Sequence, residues 1–123
     1  MENDMLSIKL GAPPPALDSW GTVADLGSTI IEGDVLAFGH IHFGTPTAPV
    51  SAGYFACTKG QFDMVYPFTE HATVIEGECV LRNGNTGESV HYRAGDSWFI
   101  EKGTPISWHI LTDRLTKHYL AVA

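Results

Sequence analysis

Basic residues are scarce in this chain: seven Lys and Arg stand against fourteen Asp and Glu, a net charge of −7 over 123 residues. No stretch gathers the positive charge that a phosphate backbone or an anionic lipid surface requires, so neither nucleic acid nor membrane is an expected partner. Long apolar runs are missing too, and none approaches the ~20 residues that cross a bilayer. Residues Met1 to Leu6 carry acidic rather than basic side chains. No secretory signal is expected from such a start, and a cytoplasmic location is. The two cysteines, Cys57 and Cys79, stand far apart. That is too few for a disulfide framework and the wrong spacing for a zinc site, so buried free thiols are expected. Helical periodicity does not persist beyond about seven residues anywhere after the N-terminal stretch, which excludes a helical bundle.

Turn formers and apolar residues fill the space instead: thirteen glycines, seven prolines and 44% hydrophobic residues. Short alternating segments separated by turns at intervals of about 8–12 residues predict an all-β sandwich or barrel. The better strands run over 35–43, 50–58, 61–66, 70–75, 79–82, 88–93, 98–100, 106–111 and 117–122, with a break expected at Lys59 and Gly60. Gly11 to Pro15 contains three consecutive prolines, which continue neither a helix nor a central strand. Residues 1–30 are therefore read as an N-terminal arm, with room from Val23 to Ile31 for a short turn and a first strand, and 31–123 as one barrel domain, a division consistent with the usual single-domain length.

The densest pattern lies between Tyr66 and Trp108. A strand holds Glu70 and closes on Gly77, with six residues between them. A hairpin follows, its arms at Cys79–Arg82 and Glu88–Arg93. Gly95 and Asp96 then open a strand that turns at Gly103 into another ending at Trp108. This layout resembles the two sequence motifs of the cupin superfamily. The segment Gly53–Gly60 and the tail with Trp108, Lys117, His118 and Tyr119 are similar to the small cupin_3 (DUF861) group, which includes ureidoglycine aminohydrolase-like and ethanolamine-utilisation cupins. The resemblance spans roughly 31 to 122. It implies an RmlC-like cupin jelly-roll β-barrel whose mouth holds a small ligand.

Many cupins bind a divalent metal (Mn, Fe, Ni or Zn) through two His and a Glu of the first motif and one His of the second. Here Glu70 is kept, but Met64, Val65 and Tyr66 stand where the paired His would, and Ile106 where the last would. No cofactor is expected at the usual position. The alternative is a divalent metal held by His40, His42 and Glu70, because residues i and i+2 project from one strand face. That set requires the face to point inward; otherwise the two His lie on an outer or dimer-facing strand.

By alternation Glu70 shares its face with Ala72 and Val74, while His71, Thr73 and Ile75 face away. The resemblance makes the Glu70 face the barrel interior, together with Met64, Tyr66, Ile106 and Trp108. A carboxylate desolvated there can act as a general acid or base, grip a ligand's ammonium or amide, or serve structurally through bonds to Tyr66 or an indole N–H. Lys117 is either a buried counter-ion or exposed. Asp96 reads as a turn carboxylate bonded to nearby backbone N–H groups. The expected function is binding of a small polar metabolite inside the barrel without the usual metal tetrad. The alternative is a metal-dependent small-molecule enzyme resembling ureidoglycine aminohydrolase. Pairing with a second copy through outward strand faces is also expected.

Overall fold

The structure, a computed structural model, describes residues 4–123. Nine strands follow one another with no helix among the described residues: β1 (Asp18–Thr22), β2 (Thr29–Glu32), β3 (Leu36–Phe43), β4 (Val50–Val65), β5 (Thr69–Glu76), β6 (Glu78–Asn83), β7 (Ser89–Arg93), β8 (Ser97–Ile100) and β9 (Pro105–Val122). It follows that no described helix is long and apolar enough to cross a membrane.

Two long strands organise the rest. The first half of β4 pairs with β3 and with the C-terminal half of β9, while its second half pairs with β2 and the N-terminal half of β9. The C-terminal half of β9 also pairs with β5, and the N-terminal half with β6. Beyond these, β1 joins β3, β8 joins β5 and β7 joins β6. The result is a jelly roll: β1, β3, β4, β9, β5 and β8 form one face, and β2, β4, β9, β6 and β7 the other. The outer ends, β1 and β8, do not pair, so the sheet is not closed.

Three boundaries differ from the sequence expectation. The segments expected to be separate strands at 50–58 and 61–66 are one strand, and so are those at 106–111 and 117–122. The register of β4 against β9 shifts between Thr58 and Gly60, so the chain bends there without leaving the sheet. Gly60 has φ +152, and a Cβ at this position would collide with the Glu32 carbonyl and Val35 Cγ2. Glycine thus makes the bend possible, and tertiary pairing on both sides keeps it in the ladder. Regular structure also begins before residue 31. Inside the expected arm, β1 pairs with β3, β2 pairs with β4, and Val23 is buried in the core. Among the described residues the exposed arm is therefore 4–17, and positions 1–3 of the expected arm lie outside the described residues.

The core between the two faces is built by alternation. On β9, Ile106, Trp108 and Ile110 point inward in the first half, and Leu115, Lys117, Tyr119 and Ala121 in the second. Cys57 and Cys79 are buried free thiols, as composition predicted. Burial pushes each up to about 12, against a smaller downward pull from Lys117, which leaves them inert. Asp96 accepts the Arg93 backbone N–H at 2.9 Å and holds the turn before β8, the role its position suggested.

Candidate functional site

Inward-facing side chains of β8, β9 and the β4–β5 link meet at Glu70 of β5. Its place on β5, between Thr69 and His71, puts it on the inner face with Ala72 and Val74, as the alternation predicts. Glu70 is 1% exposed. Its Oε2 accepts the Tyr66 hydroxyl at 2.7 Å and Trp98 Nε1–H at 2.9 Å. Its Oε1 accepts Lys117 Nζ at 2.7 Å, which closes a buried ion pair. Of the two states the sequence left open for Lys117, buried counter-ion is the one observed.

The ammonium sits within an aromatic cage. Rings of Phe55, Tyr66, Trp98, Trp108 and Tyr119 lie 5.0–5.8 Å from Nζ by centroid. Their negative faces offset part of the desolvation of the charge, and Glu70 supplies the rest. Pairing explains why these rings converge: Phe55 stands opposite Lys117 across the β4–β9 ladder, and Tyr119 is two residues further along the same face. Burial, then the charge of Glu70, raises Tyr66 well above the ordinary phenol value. The same causes, in the same order, push Tyr119 up to about 12. Both hydroxyls therefore keep their protons at neutral pH.

Above this knot lies a cavity of about 560 Å³, within the usual range for small-molecule sites. Met64, Tyr66, Glu70, Trp108 and Lys117, all picked out from the sequence, line it. Ile106, the sixth expected lining residue, is instead buried in the core, because its inward position on β9 lies two residues before Trp108. Phe55, Phe68, Trp20 and Tyr119 are among the other wall residues. These were not foreseen; the alternation that carries Lys117 inward also carries Tyr119, but Phe55 follows only once the register is known. Trp98 was missed as the indole partner of Glu70, although its register opposite Ala72 places it one strand away. Trp108 packs on Phe62 with centroids 5.2 Å apart and meets Trp98 edge-on at 5.5 Å. Its Nε1 is buried and has no hydrogen-bond partner among the described residues.

His40 and His42 do not reach Glu70. The inner face of β3 carries Ala37, Gly39 and Ile41, so both imidazoles lie on the outside of the sheet. There His42 Nε2 and His118 Nε2 are 2.8 Å apart, with their ring centroids separated by 5.1 Å and Tyr54 edge-on to His118. The proposed set of His40, His42 and Glu70 is thereby split across the two sides of one sheet. No described group of three or more His, Cys, Asp and Glu is placed to hold a metal ion. Around Glu70 the side chains do not suit a divalent cation either. Met64, Val65, Tyr66 and Ile106 supply no imidazole, both carboxylate oxygens are engaged, and the ammonium of Lys117 occupies the cationic position.

The comparisons with known proteins agree with the fold. Residues 44–119 match the family described as the EutQ-like cupin domain. No curated protein matches the chain in sequence. Among solved structures, the Clostridium difficile EutQ protein superposes with a TM-score of 0.60 at 21% identity, over 72% of this chain and 68% of that one. A DUF861-family protein of unknown function from Pseudomonas syringae gives 0.74 at 21% identity, covering 88% of this chain but only 45% of its own. A putative ethanolamine utilization protein Q from Salmonella typhimurium gives 0.58 at 21% identity, over 91% of this chain and 98% of that one. Identities this low establish the fold alone; the family match spans more than half of the chain, and on it the chain belongs to the EutQ-like cupin family.

Proposed function

We propose that this cupin binds a small molecule in the cavity above the Glu70–Lys117 pair and does so without a bound metal. One observation carries the reading: a cavity of about 560 Å³ whose floor is a buried ion pair inside an aromatic cage. A buried pair of charges is costly to desolvate, and a well-packed apolar substitute would often be as stable. Its retention at the base of an open cavity is economical if it orients a ligand. Lys117 takes the place of the metal as the fixed cation, and Glu70 holds it there. Pairing with a second copy through the outer sheet face belongs to the same proposal.

A thermal-shift screen of small metabolites tests the reading. Ethanolamine, named in the description of the Salmonella relative, belongs in that screen. A ligand present at a hundred times its Kd should stabilise the fold by about 2.7 kcal/mol. Replacing Ala121, whose small side chain lines the cavity, by Phe should fill the space and abolish the shift. Ligands that stabilise wild type and Ala121→Phe equally bind elsewhere and count against the proposal. Stoichiometric metal in protein purified without chelator, lost on Glu70→Gln, would remove its metal-free part.

A further inference from the structure

Hydrogen-bonding groups in the cavity are unevenly matched. Among the described residues Glu70 is the one side-chain carboxylate that lines it, and three of its roughly four lone-pair sites are used, by Tyr66, Trp98 and Lys117. Little acceptor capacity is left there for a donor on a ligand. Donors, by contrast, are left over. Trp108 lines the cavity with a buried Nε1–H that has no partner among the described residues. Lys117 has three N–H groups and, among the described residues, makes one hydrogen bond, to Glu70. Indole and ammonium groups donate only. The hydroxyls of Ser51 and Tyr119 also line the cavity, and these can donate as well as accept. A buried donor without an acceptor is unfavourable, and a ligand oxygen relieves it.

Charge narrows the choice. The Glu70–Lys117 pair is already neutral as a unit. An ammonium head would meet the Lys117 ammonium while the carboxylate is occupied. A carboxylate head would bring an uncompensated charge into a site whose one cation is paired. An uncharged acceptor incurs neither cost. The remaining wall, with Trp20, Phe55, Phe62, Met64 and Phe68, suits an apolar body.

We infer that the cavity takes an uncharged, carbonyl-headed ligand (a ketone, ester or lactone oxygen on an apolar body), with Trp108 Nε1–H and Lys117 Nζ–H as the donors to that oxygen. This rests on the cavity being a ligand site, as proposed above, and replaces the sequence expectation that Glu70 grips a ligand's ammonium or amide. Glu70 instead becomes a positioning residue that aims Lys117.

Four probes with the same bicyclic body separate the possibilities: 1-indanone, 1-aminoindane, indane-1-carboxylate and indane. In calorimetric titrations 1-indanone should bind about tenfold tighter than indane, the worth of one well-formed hydrogen bond to a buried donor. Both charged probes should bind more weakly than 1-indanone. In a proton–nitrogen correlation spectrum of the wild type, the Trp108 indole signal should move downfield with 1-indanone and not with indane. Trp98, already donating to Glu70, should not report a new bond. Trp108→Phe should remove the preference for 1-indanone while keeping indane binding; if that variant does not fold, the wild-type spectrum decides. Equal binding of all four probes, or tightest binding of 1-aminoindane, would overturn the carbonyl assignment and leave the cavity standing as a ligand site. Failure of every probe to bind would remove the cavity reading and this inference with it.

Discussion

Glu70 and Lys117 are each nearly inaccessible to water, and among the described residues each is the other's only opposite charge within bonding distance. Removing one leaves the other as an uncompensated buried ion, which typically costs about 3–5 kcal/mol. Both Glu70→Gln and Lys117→Met should therefore lower the free energy of unfolding by about that amount. The double variant Glu70→Gln/Lys117→Met should recover most of the loss, and chemical denaturation of all three proteins measures the coupling. Additive losses would show that the pair is not a unit.

His118, on the opposite side of the same strand, gives a pH-dependent prediction at the same scale. Burial, and then the neighbouring His42, lower it to about 4 from the usual 6.5. His42 on β3 and Tyr54 on β4 are the titratable groups against it, while Thr73 on β5 stands opposite in register. A depressed imidazole means that the unfolded chain takes up a proton between pH 6.5 and 4 where the native chain does not. Stability from this residue is therefore complete above about 6.5 and is lost as pH falls toward 4. His118→Gln should flatten the stability profile in that window. An NMR titration placing His118 near 6.5 would refute the argument.

At the scale of elements, β1 is held to the jelly roll by its ladder with β3 and by one close side-chain approach. The Trp20 ring lies directly on Gly39 of β3, where any Cβ would collide with it. Because Trp20 is also a cavity wall, Gly39→Ala should push the indole outward and open that side. Overpacking of this kind costs about 1–3 kcal/mol. A lower melting temperature together with altered Trp emission would report it; an unchanged melt would show that the ring yields freely. Such contacts explain what was and was not readable in the chain. Alternation put Glu70, Ala72 and Val74 on one face, the cupin resemblance made that face the inner one, and the spacing of Glu70, Gly77, Gly95 and Gly103 marked the turns correctly. Local patterning could not reveal that β4 runs through Gly60, because what keeps the bend in the sheet is pairing with β2 and β9. Nor could it show that His40 and His42 face outward, since both faces of β3 carry apolar residues and give no bias. Trp98 escaped for a related reason: its partnership with Glu70 depends on the β5–β8 register, which no residue in either strand spells out.

At the scale of the whole molecule, the outer face of the sheet carries exposed apolar side chains among its histidines. Register places Phe99 beside His71, His71 beside Leu120, and Val50 beside Val122 across β8, β5, β9 and β4. Phe99, Leu120, Val50 and Val122 are all exposed. Exposed apolar side chains gathered on one sheet face offer an interaction surface. A second copy can cover it by a two-fold axis that sets the stripe against itself, an isologous contact. Each chain carries a net charge of −7, so association must overcome repulsion that salt screens over about 10 Å at 0.1 M. The proposed dimer should therefore tighten as ionic strength rises, whereas an interface held by ion pairs would loosen. Light scattering should give twice the 13.3 kDa chain mass at micromolar concentration. Leu120→Asp, which places a charge at the centre of the stripe, should give the single-chain mass with an unchanged far-ultraviolet spectrum. A wild-type particle of single-chain mass at every salt concentration would refute the pairing; a dimer that survives Leu120→Asp would move it to another face.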